Sequence, residues 1–199
     1  MSSNTLILFV KAPVLGRVKT RLAQDIGMVP ATVLYRRLSA RLLRAVAGDR
    51  RWRTTLAVTP DHAVSAGFWP RQLTRIAQRG GDLGERMRRA LAGASGPAVI
   101  VGSDIPGIDR RHIATAFQFL RSHDVVIGPA LDGGYWLIGV RCPAYARRLF
   151  YDVRWSSAHT LADTLTGLPA SARVAYLPVL RDIDDAADLS AISARSGAA

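Results

Sequence analysis

The chain is poor in cysteine, lysine and glutamate, holding one, two and one of these among its 199 residues. A single cysteine excludes an internal disulfide framework, and a cytoplasmic setting is the expectation that follows. Cys142 precedes Pro143 near the end of an apolar run and reads as a buried structural thiol rather than a nucleophile. Apolar residues make up 49% of the sequence, yet no uninterrupted run is long enough to span a bilayer. The N-terminus has no basic segment followed by an apolar core and a small-residue cleavage site, so no secretory leader is expected. His62, His112, His123 and His159 share no ligand spacing and have no cysteine companions, which argues against zinc. Neither a Gly-x-Ser-x-Gly elbow nor the Gly-x4-Gly-Lys-Ser/Thr phosphate loop occurs.

What is abundant is arginine: 25 of the 27 basic residues, in a chain of formal charge +12. That balance invites a nucleic-acid reading. The arginines are scattered from Arg36 to Arg148 and beyond, however, and form no single stripe in the sequence. They decorate solvated helix faces and raise affinity for polyanions non-specifically, so no specific nucleic-acid partner is expected. Both lysines, Lys11 and Lys19, fall in one loop with Arg17 and Arg21, after the apolar run Leu6–Val10. An ammonium is a compact point charge on a flexible stem, suited to phosphate oxygens that move during reaction. Fourteen of the fifteen acids are aspartate, so Asp carries meaning only in a special local setting.

Strand signals recur at 6–10, 54–59, 98–101, 125–127, 135–140 and 174–177, with a weaker one at 73–77. Between them, Thr20 to Asp25 allows one helical turn. Pro30 opens a longer helix with Val33, Leu34, Leu38, Leu42 and Val46 at helical spacing, and Gly48 stops it. Asp82 and Glu85 form a capping box for a helix from Leu83 to about Gly93, and Asp109 caps the next. Shorter helices are expected near 143–150 and 158–166, with a last one from Ala186. Strands alternating with helices predict an α/β protein, three-layer α/β/α, with a mainly parallel sheet; the close 125–140 pair predicts one antiparallel excursion. One domain over 1–192 is expected, followed by a small polar tail at 193–199.

In such sheets ligands bind beyond the carboxyl ends of the strands, where the unusual loops of this chain fall. Lys11, Gly16, Arg17, Lys19 and Arg21 suit a cradle for a diphosphate or triphosphate; an exposed basic turn is the plain alternative. Ser103 and Asp104 follow the strand at 98–101, where a carboxylate on a rigid element can hold Mg²⁺ between phosphates. Asp132-Gly133-Gly134 either starts a tight turn or leaves room for a flat ligand beside Tyr135. Asp182 and Asp184 alternate, so in an extended segment both face one side and could supply a second metal contact.

The segments 11–22 (KAPVLGRVKTRL), 80–87 (GGDLGERM), 102–106 (GSDIP), 128–139 (GPALDGGYWLIG), 155–157 (WSS) and 182–185 (DIDD) occur in this order over nearly the whole chain. In them the chain resembles the DUF2064 family of bacterial proteins, in the nucleotide-diphospho-sugar transferase superfamily with its Rossmann-like glycosyltransferase-A fold. Members are often described as glycosyltransferases, some linked to arsenosugar biosynthesis. A more distant similarity is to phospholactate and molybdenum-cofactor guanylyltransferases, which share a basic N-terminal loop and a Gly-x-Asp-x-Pro turn. Departures are small: Ser157 and Asp185 stand where the family pattern has Thr, and Ile108 where it has Leu. The resemblance implies a nucleotide site, with Mg²⁺ (or Mn²⁺) at Asp104 and the first loop on phosphates. The Asp-x-Asp signature of many glycosyltransferases is missing at 102–104, where Asp104 is the one carboxylate.

The leading expectation is therefore a Mg²⁺-dependent nucleotidyltransferase that joins a nucleoside monophosphate from a triphosphate to a small anionic or phosphorylated acceptor, releasing pyrophosphate. Catalytic roles fall to Lys11, Lys19 and Arg21, phosphate binding to these with Gly16, Arg17 and Ser103, and metal binding to Asp104 with Asp184 or Asp182. Gly80, Gly81 and Asp82 are assigned to the nucleotide, and Asp132, Gly133, Gly134, Tyr135, Trp155 and Ser156 to the acceptor. Glycosyl transfer from a nucleotide sugar is the alternative; a nucleic-acid module or a silent nucleotide-binding protein ranks lower. No membrane partner is expected, and a homodimer is compatible with the sequence.

Overall fold

The computed structural model describes residues 4–180. Among the described residues seven strands form one sheet: β1 (Thr5–Lys11), β2 (Arg53–Thr59), β3 (Thr74–Ala77), β4 (Ala98–Gly102), β5 (Val125–Pro129), β6 (Tyr135–Val140) and β7 (Val174–Tyr176). Their order is β3-β2-β1-β4-β6-β5-β7. All neighbours run parallel except β6, which is antiparallel to both β4 and β5. The expected mainly parallel sheet with one antiparallel excursion is what forms.

Alternation along each strand splits the core in two. On one face Leu6, Leu8, Val10, Val99 and Val101 meet Leu42 and Val46 of α2 (Met28–Val46) and Ile113 and Phe117 of α4 (Arg110–Phe119). On the other, Ile7, Ile100, Ile127 and Ile138 meet Met87 and Leu91 of α3 (Leu83–Ala92), with Ala146 of α5 (Pro143–Ala146). A short α1 (Thr20–Ile26) packs on α2 through Leu22 and Ala31, and α6 (Thr160–Leu165) completes the second helical layer.

Several expectations shift. The long helix starts at Met28, two residues before Pro30, with Gly27 as its N-cap at φ 89°. Pro30 is tolerated there because the first N–H groups of a helix have no intrahelical partner to lose. The buried stripe of α2 is Ala31, Thr32, Tyr35, Ser39, Leu42 and Val46, while Val33 is exposed. Leu34 and Leu38 turn toward α1 instead. Tyr35 and Ser39 displace aliphatic residues from the sheet side because each has a polar partner on the sheet edge. The helix expected at 143–150 is only four residues long. Cys142 is not buried but partly exposed, since it caps that short helix rather than ending the strand. The helix from Ala186 and the tail at 193–199 lie outside the described residues.

The far end of the sheet is fastened by Asp124. Its carboxylate accepts from the Arg173 N–H at 2.9 Å and pairs with Arg141. The Arg173 N–H, outweighing burial, holds this carboxyl below the usual range, with Tyr145 and the two guanidinium groups adding to it. A depressed folded pKa means the stabilisation is complete above the unfolded value of about 3.9 and is lost as pH falls through the folded value. Asp124→Asn is expected to cost about 1–3 kcal/mol at pH 7. In urea titrations the difference from the parent protein should shrink below about pH 4.

Candidate functional site

Parallel pairing of β1 with β4 sets Phe9 opposite Gly102, so the loops that leave these strands emerge side by side. The first loop makes its turn through Ala12 N–H to Thr59 O at 2.7 Å and Arg17 N–H to Val14 O at 3.0 Å. Gly16 sits at φ 70°, a conformation that glycine adopts without steric cost. Lys19 then takes a left-handed conformation, φ 47° and ψ 47°, as the N-cap of α1. Such a conformation costs a non-glycine residue about 1–2 kcal/mol. What it achieves is direction. Lys19 Nζ lies 2.8 Å from Asp104 Oδ2, with 4% of its side chain exposed against 39% for Asp104. The ammonium is enclosed while the carboxylate stays open to solvent.

Tyr35 joins the two loops from below. Its hydroxyl oxygen accepts from Lys11 N–H at 2.8 Å and lies 3.0 Å from both Lys11 O and Ser103 Oγ. Burial pushes its phenol above the ordinary tyrosine value, against the hydrogen bonds with Ser103 and Lys11. Ser39 Oγ donates to Ser103 O at 3.4 Å. Ser103 is thus turned inward, and Asp104, the next residue, is the one presented at the edge. On the other side Gln78 is buried at the end of β3, donating to Ala57 O at 2.8 Å and Val10 O at 3.3 Å. Arg86 donates to Gln78 Oε1, and Arg89 to Gln78 O and Gly80 O.

Two neighbouring cavities open along this edge, each of about 240 Å³. Lys11, Arg17, Lys19, Ser103 and Asp104 line the first, together with Tyr35 and Gln78. Asp132, Gly134, Tyr135, Trp155 and Ser156 line the second. Phe9, Leu83 and Gly102 border both. The structure thereby brings together most residues singled out in the sequence. Arg21 is on the exposed side of α1 and does not line the first cavity. Gly80, Gly81 and Asp82 are exposed just outside it, with Asp82 accepting from Glu85 N–H at 2.7 Å in the expected capping box. Gly133 lines neither cavity: at φ 85°, a Cβ there would lie 2.5 Å from the Ala158 backbone. The turn at Asp132 forms as well, Gly134 N–H donating to Asp132 Oδ1 at 2.9 Å. Asp182 and Asp184 lie outside the described residues.

Tyr35, Ser39 and Gln78 were not legible as site residues. Their one signal, for Tyr35 and Ser39, is a four-residue spacing on a helix that would otherwise bury aliphatic groups.

Among the described residues no group of three His, Cys, Asp or Glu side chains is placed to hold a metal. Asp104 nevertheless fits a hard cation. Mg²⁺ keeps waters and phosphate oxygens and takes one or two protein carboxylates, and this carboxylate is part-exposed on a rigid strand end.

The family model described as "Uncharacterized protein conserved in bacteria (DUF2064)" matches residues 42–157. The chain belongs to the DUF2064 family. Among solved structures, a candidate nucleotide-diphospho-sugar transferase from Desulfovibrio desulfuricans G20 is 31% identical with a TM-score of 0.80, over 96% of this chain and 87% of that one. That kinship places this DUF2064 protein in the nucleotide-diphospho-sugar transferase superfamily, as an enzyme of the transferase class. The same fold occurs in a CMP:2-keto-3-deoxy-manno-octonic acid synthetase complexed with CTP, at 13% identity and TM-score 0.59 over 98% and 99% of the chains. It occurs again in glucosyl-3-phosphoglycerate synthase from Mycobacterium tuberculosis with Mn²⁺, UDP and glucosyl-3-phosphoglycerate, at 14% identity and TM-score 0.53 over 91% and 71%. Among curated proteins none matches the sequence.

Proposed function

We propose that this DUF2064 protein is a Mg²⁺-dependent nucleotidyltransferase: an anionic acceptor oxygen attacks the α-phosphorus of a nucleoside triphosphate, and pyrophosphate leaves. One observation carries the reading. The chain's two lysines and Arg17 line one cavity with a part-exposed carboxylate, at the carboxyl ends of adjacent parallel strands. A triphosphate brings more charge to such a cavity than a nucleotide sugar does, and the three cations that line it answer that charge.

Phosphoryl-type transfer needs positioning and charge neutralisation more than a protein nucleophile. Lys19 and Arg17 offset the charge gathering on the leaving pyrophosphate, and Lys11 that on the α-phosphoryl group; Arg21, on the exposed side of α1, drops out of this set. Tyr35 and Ser103 fix the two loops so that these cations meet the phosphate chain without reorganising. Asp104, with Asp184 or Asp182, would hold Mg²⁺ or Mn²⁺. A bound divalent ion supplies further neutralisation of phosphate charge and helps align the leaving group. No histidine lines either cavity among the described residues. That suits an acceptor such as a phosphate monoester, whose oxygen is already ionised at neutral pH and needs no base. Gly80 to Asp82, beside Gln78, is the proposed contact for the base.

Glycosyl transfer releases a nucleoside diphosphate instead, and the 31% identical structure described as a nucleotide-diphospho-sugar transferase keeps that reading in play. A thermal-shift screen separates the donors. At 100 times the dissociation constant a ligand stabilises by about 2.7 kcal/mol, a rise in Tm of roughly 5–10 °C for a chain of this size. That rise is expected with one nucleoside triphosphate and Mg²⁺, and less than half of it without the ion. A nucleotide sugar giving the larger shift would move the assignment to glycosyl transfer.

A further inference from the structure

We infer that the acceptor carries its anionic attacking group on an apolar, ring-sized body and is not a polyhydroxylated sugar phosphate. This rests on the nucleotidyl-transfer reading above and names the substrate class of the same site.

The cavity beside the phosphate pocket has walls unlike a sugar site. Its lining is mostly apolar and includes Phe9, Leu83, Met87, Ile100, Ile105 and Trp155. The polar groups that reach it are already engaged. Thr160 Oγ1 lies 2.9 Å from the backbone carbonyls of both Arg154 and Ser157, between which its one proton is shared. The Tyr135 hydroxyl accepts from Thr164 at 3.4 Å, and Gly134 N–H is held by Asp132. Asp132 and Ser156, both exposed, are further polar residues of the lining, with the Trp155 indole N–H beside them. Sugar hydroxyls entering such a cavity would give up water for few partners, whereas a ring or branched alkyl body would find aromatic and aliphatic walls.

Charge fixes the orientation of the acceptor. Asp132 at the outer rim repels an anion, and Lys11 and Lys19 lie across the border formed by Phe9, Leu83 and Gly102. The body therefore occupies the apolar cavity with the anion directed across Gly102. There an acceptor oxygen forms its bond to the α-phosphorus as the bond from that phosphorus to the β-phosphate oxygen breaks. The electron pair departs with pyrophosphate, so no oxidant or further reactant is required.

The test is calorimetric titration of the full-length protein with two phosphate monoesters of equal charge, phenyl phosphate and glucose 1-phosphate, with Mg²⁺ and whichever nucleoside triphosphate stabilises the protein. Phenyl phosphate is expected to bind about tenfold or more tightly than glucose 1-phosphate. Trp155→Leu should weaken phenyl phosphate by about tenfold and Trp155→Phe should restore most of it, with the nucleotide-induced thermal shift unchanged in both. Equal or tighter binding of glucose 1-phosphate overturns the inference, and that comparison needs no variant to fold. Phenyl phosphate binding that ignores Trp155→Leu overturns it too. If no nucleoside triphosphate binds while the phenyl ester keeps its preference, the nucleotidyl reading fails and the selectivity of the cavity stands.

Discussion

Asp104→Ala is expected to abolish the Mg²⁺-dependent part of nucleotide stabilisation and to lower kcat/KM by about 10³-fold. The size follows from where the carboxylate sits. Ser103 is anchored inward by Tyr35 and Ser39, so β4 delivers Asp104 to the edge with little freedom to be replaced by a neighbour. Loss of the side chain also leaves the enclosed Lys19 ammonium without the partner at 2.8 Å. Some fold stability is lost as well, because the Lys19 ammonium that loses this carboxylate is enclosed, although the 39% exposure of Asp104 lets water reach the vacated position. Thermal unfolding without ligand is the control. A variant inactive through general unfolding would show no cooperative transition above the assay temperature, whereas a metal-site variant keeps a cooperative transition and loses the response to Mg²⁺ with nucleotide.

Lys19→Gly gives the second large effect, and glycine is chosen for a reason. The residue sits at φ 47°, where glycine relieves about 1–2 kcal/mol of backbone cost and so offsets most of the lost ion pair. A purely structural lysine would therefore be replaceable here with little consequence for Tm or rate. The account predicts that Tm stays within a few degrees while kcat falls about 10²–10³-fold, the usual loss when one group stabilising transition-state charge is removed. Lys19→Arg should not rescue fully, since a planar guanidinium cannot replace an enclosed point charge. Lys19→Gly combined with Asp104→Ala should cost little more than either change alone, because the pair acts as a unit.

How far the sequence carries can be read from particular residues. The strand at Leu6–Val10 and the sheet around it were legible because apolar runs bounded by Lys11, Pro13 and Gly residues leave few alternatives. Asp109 and Asp82 were legible as caps because the bonds they make are local, spanning two or three residues. Lys19 and Asp104 could be singled out, yet their contact bridges 85 positions and appears only once β1 and β4 pair. Tyr35, Ser39 and Gln78 escaped notice because their partners are all long-range: Lys11 and Ser103 for Tyr35, Ser103 for Ser39, Val10 and Ala57 for Gln78. Gly133 was given to the ligand on spacing alone, whereas the space beside it is filled by the Ala158 backbone. The apolar character of the second cavity was equally hidden, since Phe9, Ile100, Ile138 and Trp155 come from separate elements and look like ordinary core in the sequence.

In the proposed reaction the first loop and Asp104 bind a triphosphate whose α-phosphorus is attacked. Its most direct test is product analysis after incubation with a nucleoside triphosphate labelled in both the α- and γ-phosphates, Mg²⁺ and phenyl phosphate as acceptor. The expected products are pyrophosphate carrying the γ-label and a nucleoside–phenyl diphosphate, a phosphoanhydride, carrying the α-label, in equal amounts and with neither formed by Asp104→Ala. Absence of pyrophosphate under these conditions, with a nucleoside diphosphate released from a nucleotide sugar instead, would contradict it.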